Sequence, residues 1–197
     1  ITMEEQVNLI KTLDEAQKLW DRLKQEHWES VIVGIHEDLF NLDVKKRALP
    51  IMKKYSVDDL ELHWIEPDTA FLSGTSSFGG GISLNYYVKI EKLMFEYGMQ
   101  ALCLSYIEEA DKTAGLVTVL GGLAKKATGQ TYLQMLVKNH PMLRVDDQKI
   151  LVDLDAWTAF RKVCGWTYED KSIGHDLNIE NLGMMNRCIC LRFSWQS

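Results

Sequence analysis

Residues 78–98 read FGGGISLNYYVKIEKLMFEYG, and the interpretation of this stretch decides the fold expected for the whole chain. Three consecutive glycines give up side-chain packing and leave the backbone free to bend. Beyond them, apolar residues recur at the spacing of one face of an amphipathic helix, namely Tyr86, Ile90, Leu93, Met94 and Tyr97. Gly98 stands where such a helix would end. The spacing therefore predicts a glycine-rich turn followed by a helix.

The flanks of this stretch have the patterns of β-strands. LELHWIE (60–66) alternates apolar and polar residues, which is typical of a strand with one buried face. Pro67 and Asp68 form a turn signal, after which TAFLSGT (69–75) is the second strand of a hairpin. QALCLSY (100–106) has the composition of a buried strand.

The N-terminal region predicts a strand at QVNLI (6–10) and a helix that begins at the capping box Thr12 to Glu15. SVIVGI (30–35) is either a buried strand or part of a helical connection, and residues 43–55 form a helix with a kink or break at Pro50. Further elements are expected as follows: helix 114–127, strand 131–137, strand 149–154, helix 155–164 ending at Gly165, polar loop 167–178 and strand 187–195.

These elements predict a mixed α/β or α+β fold in which a central, mostly antiparallel sheet is flanked by helices. We expect residues 1–145 to form the core and residues 146–197 to form a C-terminal α/β extension packed on the same domain. The chain has 197 residues, which is enough for one domain with a sizeable core.

Composition excludes several functional classes. The net charge is −6 and the pI is about 5.4, which argues against nucleic acid or a membrane surface as the main partner. The longest apolar run, AGLVTVLGGLA (114–124), is 11 residues, whereas spanning a bilayer takes about 20. No basic start and apolar stretch of a secretory signal precede the first helix. The four cysteines contain no C-x-x-C pair, so we expect reduced thiols and a cytoplasmic protein.

A strand, a glycine-rich turn and a helix N-terminus together form an anion-binding site, because free backbone N–H groups and the helix dipole converge there. The P-loop pattern fails, because Gly80 stands where its lysine belongs. The Rossmann spacing G-x-G-x-x-G is absent as well.

A third pattern fits better. Residues 78–106 resemble the acyl-CoA-binding core of the GNAT superfamily of N-acyltransferases, which has [RQ]-x-x-G-x-[GA], an amphipathic helix ending in glycine, and a strand. Residues 111–123 resemble the next helix of that family, and the resemblance covers roughly residues 60–137. Two positions depart from the family pattern, because Phe78 replaces the Arg or Gln and Thr118 replaces a tyrosine that protonates the leaving thiolate.

The resemblance implies a transferase that moves an acetyl or acyl group from coenzyme A to an amine of a small molecule or a protein. It implies a cradle for the coenzyme A pyrophosphate at Phe78, Gly79, Gly80, Gly81, Ile82 and Ser83. The candidates for proton transfer are Glu61, His63, Tyr106 and Thr118.

A different class of function fits the same residues. The departures at Phe78 and Thr118, the acidic charge and the six tryptophans are also typical of a non-catalytic protein-binding module, such as an inhibitor or an assembly protein. The C-terminal extension would then serve as a surface for homodimer formation. The five histidines lack the spacing of a zinc site, so no metal is expected.

Overall fold

The computed structural model describes residues 6–77, 82–96, 99–110 and 140–196. These residues show a mixed α/β fold with a six-stranded sheet, a four-stranded sheet and a two-stranded sheet, and antiparallel pairing dominates. The helical elements are α1 (Leu13–Gln25), a π-helix (Leu39–Val44), α2 (Lys45–Lys54), a 3-10 helix (Leu154–Ala156), α3 (Thr158–Cys164) and α4 (Ile173–Asp176). The strands are β1 (Val7–Ile10), β2 (Ser30–His36), β3 (Val57–Ile65), β4 (Thr69–Ser76), β5 (Ile82–Glu96), β6 (Met99–Ala110), β7 (Leu143–Asp146), β8 (Lys149–Asp153), β9 (Thr167–Tyr168), β10 (Lys171–Ser172), β11 (Leu177–Met185) and β12 (Cys188–Trp195).

The small sheet has four strands in the order β1-β2-β12-β11. β1 and β2 run parallel and are joined by α1, whose predicted cap is confirmed, because the Thr12 hydroxyl oxygen accepts a hydrogen bond from the Glu15 N–H at 3.1 Å. Residues 30–35, for which strand and helix were both open, form the strand β2. β12 pairs antiparallel to β2, so the C-terminal segment completes a sheet that the N-terminal segment begins.

The large sheet has six strands in the order β3-β4-β5-β6-β8-β7, and every pair in it is antiparallel. The predicted hairpin of β3 and β4 around Pro67 and Asp68 is confirmed. The boundary expected between residues 145 and 146 falls inside β7, and β8 from beyond it pairs with β6.

The helix predicted over the middle of residues 78–98 is wrong, because residues 82–96 form the long strand β5. Its register with β6 shifts between Ile90 and Lys92, which identifies a β-bulge. In a regular strand, residues an odd number of positions apart point to opposite faces. Val88 and Phe95 are seven positions apart and yet, like Tyr86, both are buried, because the extra residue of the bulge reverses which positions face inward. Apolar residues on the two sides of the bulge consequently have a spacing that imitates a helix.

Other predictions have mixed outcomes. Pro50 lies inside α2, which continues across it without a break. The predicted helix over 155–164 is divided into the 3-10 helix and α3, and the expected polar loop over 167–178 contains β9, β10 and α4. The elements expected over 114–127 and 131–137 lie outside the described residues.

Two hydrophobic cores hold the sheets in place. The first lies on one face of the large sheet and consists of Leu62, Ala70, Tyr86, Val88 and Tyr106, with Phe40 from the π-helix packed against it. The second joins α1, the small sheet and the end of β5, and consists of Leu23, Trp28, Phe95, Tyr168, Ile173 and Leu177. Only one face of the strands β3 to β6 therefore contributes to the first core, and we call it the inner face.

Candidate functional site

The opposite face of the large sheet, which we call the outer face, carries a row of ring and apolar side chains. The pairing register places His63 beside Phe71, Phe71 beside Tyr87, and Tyr87 beside Ile107, so the row crosses four adjacent strands. The ring centroids of His63 and Phe71 are 6.4 Å apart, and those of Phe71 and Tyr87 are 4.9 Å apart. We call these four residues the outer stripe.

The outer stripe is open to solvent, because Tyr87 is 37% exposed and Ile107 is 59% exposed. Their neighbours in sequence, Tyr86 and Tyr106, are 6% and 3% exposed on the inner face. Solvent-exposed large apolar groups in a contiguous row are typical of a contact surface rather than of an ordinary solvated sheet.

Polar rows flank the outer stripe on both sides. Glu61, Ser73 and Asn85 form one row, and Thr69, Lys89 and Ser105 form the other. Lys89 lies 3.6 Å from a carboxylate oxygen of Asp68, and the Ser105 hydroxyl donates to Glu91 at 2.7 Å. The charges beside the stripe are thus mostly compensated within the chain.

A buried carboxylate lies next to one end of the outer stripe. The side chain of Glu37 is 3% exposed, and its Oε1 accepts hydrogen bonds from Nε and Nη2 of Arg187 at 2.6 and 2.5 Å. Its Oε2 accepts from the backbone N–H of Trp64 at 3.1 Å. Glu37 therefore connects the end of β2, the edge strand β3 and the turn between β11 and β12.

Burial alone would raise the pKa of Glu37, but the hydrogen bonds from Arg187, Trp64 and His63 together outweigh burial and hold the pKa below its ordinary value. The same contact with Glu37 raises the pKa of Arg187. The pair is therefore ionised at neutral pH and acts as a fixed structural ion pair between the two sheets.

His63 lies between two carboxylates. Its Nδ1 is 3.4 Å from Oε1 of Glu37, and its Nε2 is 3.6 Å from Oε2 of Glu61. The imidazole is 42% exposed, so it is accessible to a molecule bound on the outer face. An imidazole oriented by a carboxylate is an arrangement that can accept or donate a proton.

The free edge of β3 is covered by side chains. The amide of Asn41 donates to the carbonyl of Leu62 and accepts from its N–H, both at 2.8 Å, as a paired strand would. The next N–H group on the side of β3 that faces away from β4 belongs to Trp64, and it donates to the carboxylate of Glu37. This edge is therefore closed to pairing with another strand.

The predicted proton-transfer residues are divided between the two faces. Glu61 and His63 lie together on the outer face. Tyr106 is buried on the inner face, where its hydroxyl donates to the backbone carbonyl of Asp147 at 2.7 Å. Thr118 lies outside the described residues.

The predicted cofactor residues are also not assembled into a loop and helix. Ile82 and Ser83 belong to β5 and pair with Ser76 and Thr75 of β4. Phe78, Gly79, Gly80 and Gly81 lie outside the described residues. Because β5 is a strand, the helix N-terminus that the expected pyrophosphate cradle requires is missing at residues 82–96.

The sequence reasoning missed Glu37, Arg187 and the outer stripe. Glu37 and Arg187 come from distant parts of the chain, so no local spacing connects them. The stripe follows from strand alternation, since His63 and Phe71 lie on the same face once the hairpin register is known. Tyr87 was assigned to no pattern, because β5 was interpreted as a helix whose apolar face did not include it.

The four cysteines are free thiols, and burial raises the pKa of Cys164, Cys188 and Cys190. Among the described residues, no group of three or more His, Cys, Asp or Glu side chains is arranged to hold a metal ion. Within the same ranges, no helix is both long enough and apolar enough to cross a membrane.

Comparisons of this chain with protein-family models, with curated proteins and with solved structures found no match.

Proposed function

We propose that this protein is a non-catalytic binding module that recognises another protein through the outer face of its large sheet. The observation that carries the proposal is the outer stripe, a row across four hydrogen-bonded strands in which Tyr87 and Ile107 are exposed and His63 and Phe71 are half-buried. The strands fix the spacing of the row, so the surface is formed before a partner arrives and its ordering costs little on binding.

The distribution of polar groups supports a protein partner. Interfaces between proteins have an apolar, aromatic centre that is depleted in charge, surrounded by a polar rim. The outer stripe supplies such a centre, and Ser73, Asn85, Thr69 and Ser105 supply hydrogen-bonding groups at its rim. A surface that binds nucleic acid would instead carry a cluster of uncompensated cations, whereas Lys89 is compensated by Asp68.

The test places a photo-crosslinking amino acid at position 87 and, as a matched control, at position 157, because Trp157 is also exposed at 48%. We expect one adduct of discrete mass from position 87 only. Excess unlabelled wild-type protein should prevent formation of the adduct, whereas an excess of a folded Ile107→Glu variant should not, since a charge within the stripe must be desolvated on binding.

Two results would contradict the binding proposal. In the first, unlabelled Ile107→Glu variant reduces the yield of the adduct at position 87 as strongly as unlabelled wild-type protein does. In the second, no adduct at position 87 is lost on addition of unlabelled wild-type protein, either in cell extracts or with the purified protein alone. An adduct of twice the chain mass would identify a second copy of this chain as the partner.

A second candidate function is the acyl-CoA-dependent N-acyltransferase implied by the sequence resemblance. The observation that favours it is the His63 imidazole, which is accessible on the outer face and has the Glu61 carboxylate 3.6 Å away. His63 would accept the proton of the attacking amine. This function needs coenzyme A or acetyl-CoA but no metal.

Thermal melts with coenzyme A and acetyl-CoA test this second function. A ligand at a hundred times its dissociation constant stabilises the folded state by about 2.7 kcal/mol, which raises the melting temperature by several degrees. Acyl transfer to an amine that is lost in His63→Gln, with the thermal shift retained, would favour the enzyme over the binding module. The absence of a shift with either ligand would eliminate it.

A further inference from the structure

Two tryptophans form the walls of an open groove elsewhere on the molecule. The indole rings of Trp20 in α1 and Trp166 after α3 are stacked, with centroids 6.2 Å apart and planes at 22°. The groove has a volume of about 490 Å³ and is lined by Gln17, Trp20, Lys24, Gly165, Trp166 and Thr167. No residue of the outer stripe contributes to it.

The local sequence explains why the groove is preformed. Gln17, Trp20 and Lys24 are spaced by three and four positions, so they share one face of α1. The Trp166 N–H donates to the carbonyl of Val163, and its own carbonyl accepts from the N–H of Ile173, both at 3.0 Å. The backbone of Trp166 is therefore held on both sides, although the side chain is 44% exposed.

The polar groups of the groove favour an uncharged ligand that accepts hydrogen bonds. Asp21 accepts hydrogen bonds from the side-chain amide of Gln17 and from the ammonium group of Lys24, both at 3.0 Å. The negative charge of Asp21 and the positive charge of Lys24 therefore neutralise each other. Neither indole N–H has a hydrogen-bond acceptor in the described part of the chain. The groove thus offers flat apolar walls together with available N–H donors.

The end of the groove that is lined by Gly165 and Trp166 follows two cations in the sequence. Arg161 and Lys162 occupy the last turn of α3, and the N–H of Gly165 donates to both of their carbonyls. Both side chains are exposed, and neither forms an ion pair with any residue in the described ranges. This turn therefore favours a ligand with negative charge at the corresponding end.

We propose that this groove binds a proline-rich segment of a partner protein in the polyproline II conformation, with acidic residues next to the prolines. The flat pyrrolidine rings pack against stacked indoles, and polyproline II carbonyls have no internal partners, so they accept hydrogen bonds from indole N–H groups. The segment is already extended, so little conformational entropy is lost on binding. The acidic residues then lie towards Arg161 and Lys162.

The test titrates the full chain with an oligoproline peptide that ends in glutamates and follows the indole N–H resonances by NMR together with calorimetry. We expect saturable binding with a dissociation constant below roughly 1 mM and shifts of the Trp20 and Trp166 resonances. Trp166→Ala should weaken binding by about tenfold or more, because aromatic anchors dominate such contacts. Trp157→Ala is the matched control, since Trp157 is equally exposed but stacks on Phe160 outside the groove.

The charge requirement is tested separately. In the double variant Arg161→Glu, Lys162→Glu, the affinity for the glutamate-ended peptide should fall several-fold, whereas the affinity for a neutral oligoproline should not change, because only the contact with the flanking glutamates is altered. The proposal is overturned if a flexible glycine–serine peptide of the same charge binds as well, if no oligoproline binds saturably, or if Trp157→Ala loses as much affinity as Trp166→Ala. Variants of the outer stripe should bind the peptide normally, so failure here is distinguishable from failure of the proposed function.

Discussion

The two faces of the large sheet are formed by the same strands but differ in how far their side chains are exposed to solvent. Tyr86 and Tyr87 are adjacent in sequence, yet the first is 6% exposed in the core and the second is 37% exposed in the outer stripe. Tyr106 and Ile107 differ in the same way, at 3% and 59%. Because successive side chains of a strand point to opposite faces, one face can hold the fold together while the other stays available for contact.

The largest expected effect is on the inner face. Leu62→Ala should lower the free energy of unfolding by about 2–5 kcal/mol, because it removes buried methyl groups and leaves a cavity beside Tyr86 and Val88. Urea denaturation measures the loss. A change below about 0.5 kcal/mol would show that the inner face tolerates truncation as an exposed surface does.

The ion pair beside the end of the stripe should have the next largest effect. Arg187→Met leaves the 3% exposed Glu37 carboxylate without its cation and should lower the free energy of unfolding at pH 7, but by less than Leu62→Ala does, because Arg187 itself is 63% exposed and its charge is screened by solvent. Lys18→Met is the matched control, because both members of the Lys18–Asp14 pair are exposed, so its loss should leave the free energy of unfolding almost unchanged.

The pH dependence of that effect has a definite sign. The folded-state pKa of Glu37 is lowered, so its stabilisation is present above the ordinary glutamate value of about 4.3 and is lost as the pH falls through the lowered pKa. The difference in unfolding free energy between wild type and Arg187→Met should therefore shrink on acidification. A difference that stays constant from pH 7 down to pH 3 would contradict the assignment.

A smaller effect is expected at the free edge of the large sheet. Asn41→Ala removes both hydrogen bonds to Leu62 and should cost roughly 1–2 kcal/mol in the free energy of unfolding. It should also promote association at high concentration, because it exposes an unpaired strand edge. Light scattering measures the association, and a strictly monomeric variant of unchanged stability would show that Asn41 does not protect the edge.

The smallest effect is expected on the outer face. Ile107→Ser should change the free energy of unfolding by no more than about 0.5 kcal/mol, since the side chain is already 59% exposed. The same urea experiment that detects the Leu62→Ala loss measures it. A loss comparable to that of Leu62→Ala would mean that the outer stripe belongs to a second core, and the proposed contact surface would be eliminated.

The mixed α/β class and several elements of the fold could be predicted from local patterns. The capped helix α1 and the β3–β4 hairpin follow from signals within a few residues, and both are confirmed. β5 could not be predicted in this way, because the bulge between Ile90 and Lys92 places apolar residues at a helix-like spacing. The β-branched and aromatic run Tyr86, Tyr87 and Val88 carried the correct signal, but periodicity was given more weight.

The candidate site was less predictable for a different reason. Glu61 and His63 were singled out from one strand, and the structure brings them together. Glu37 and Arg187, by contrast, meet only because β2 and β12 are neighbours in the small sheet. Their contact depends on the pairing of segments from opposite ends of the chain, which no short window of sequence contains.

That pairing has a consequence for how the chain is made. β2 leaves the ribosome long before its hydrogen-bonding partner β12, because most of the described residues lie between the two strands in the sequence. Until then, residues 31–35 of β2 can pair on one side only, with β1, and the other edge of this apolar strand is open to association with other chains. Nascent chains stalled before β12 should thus be the form of this protein most dependent on quality control.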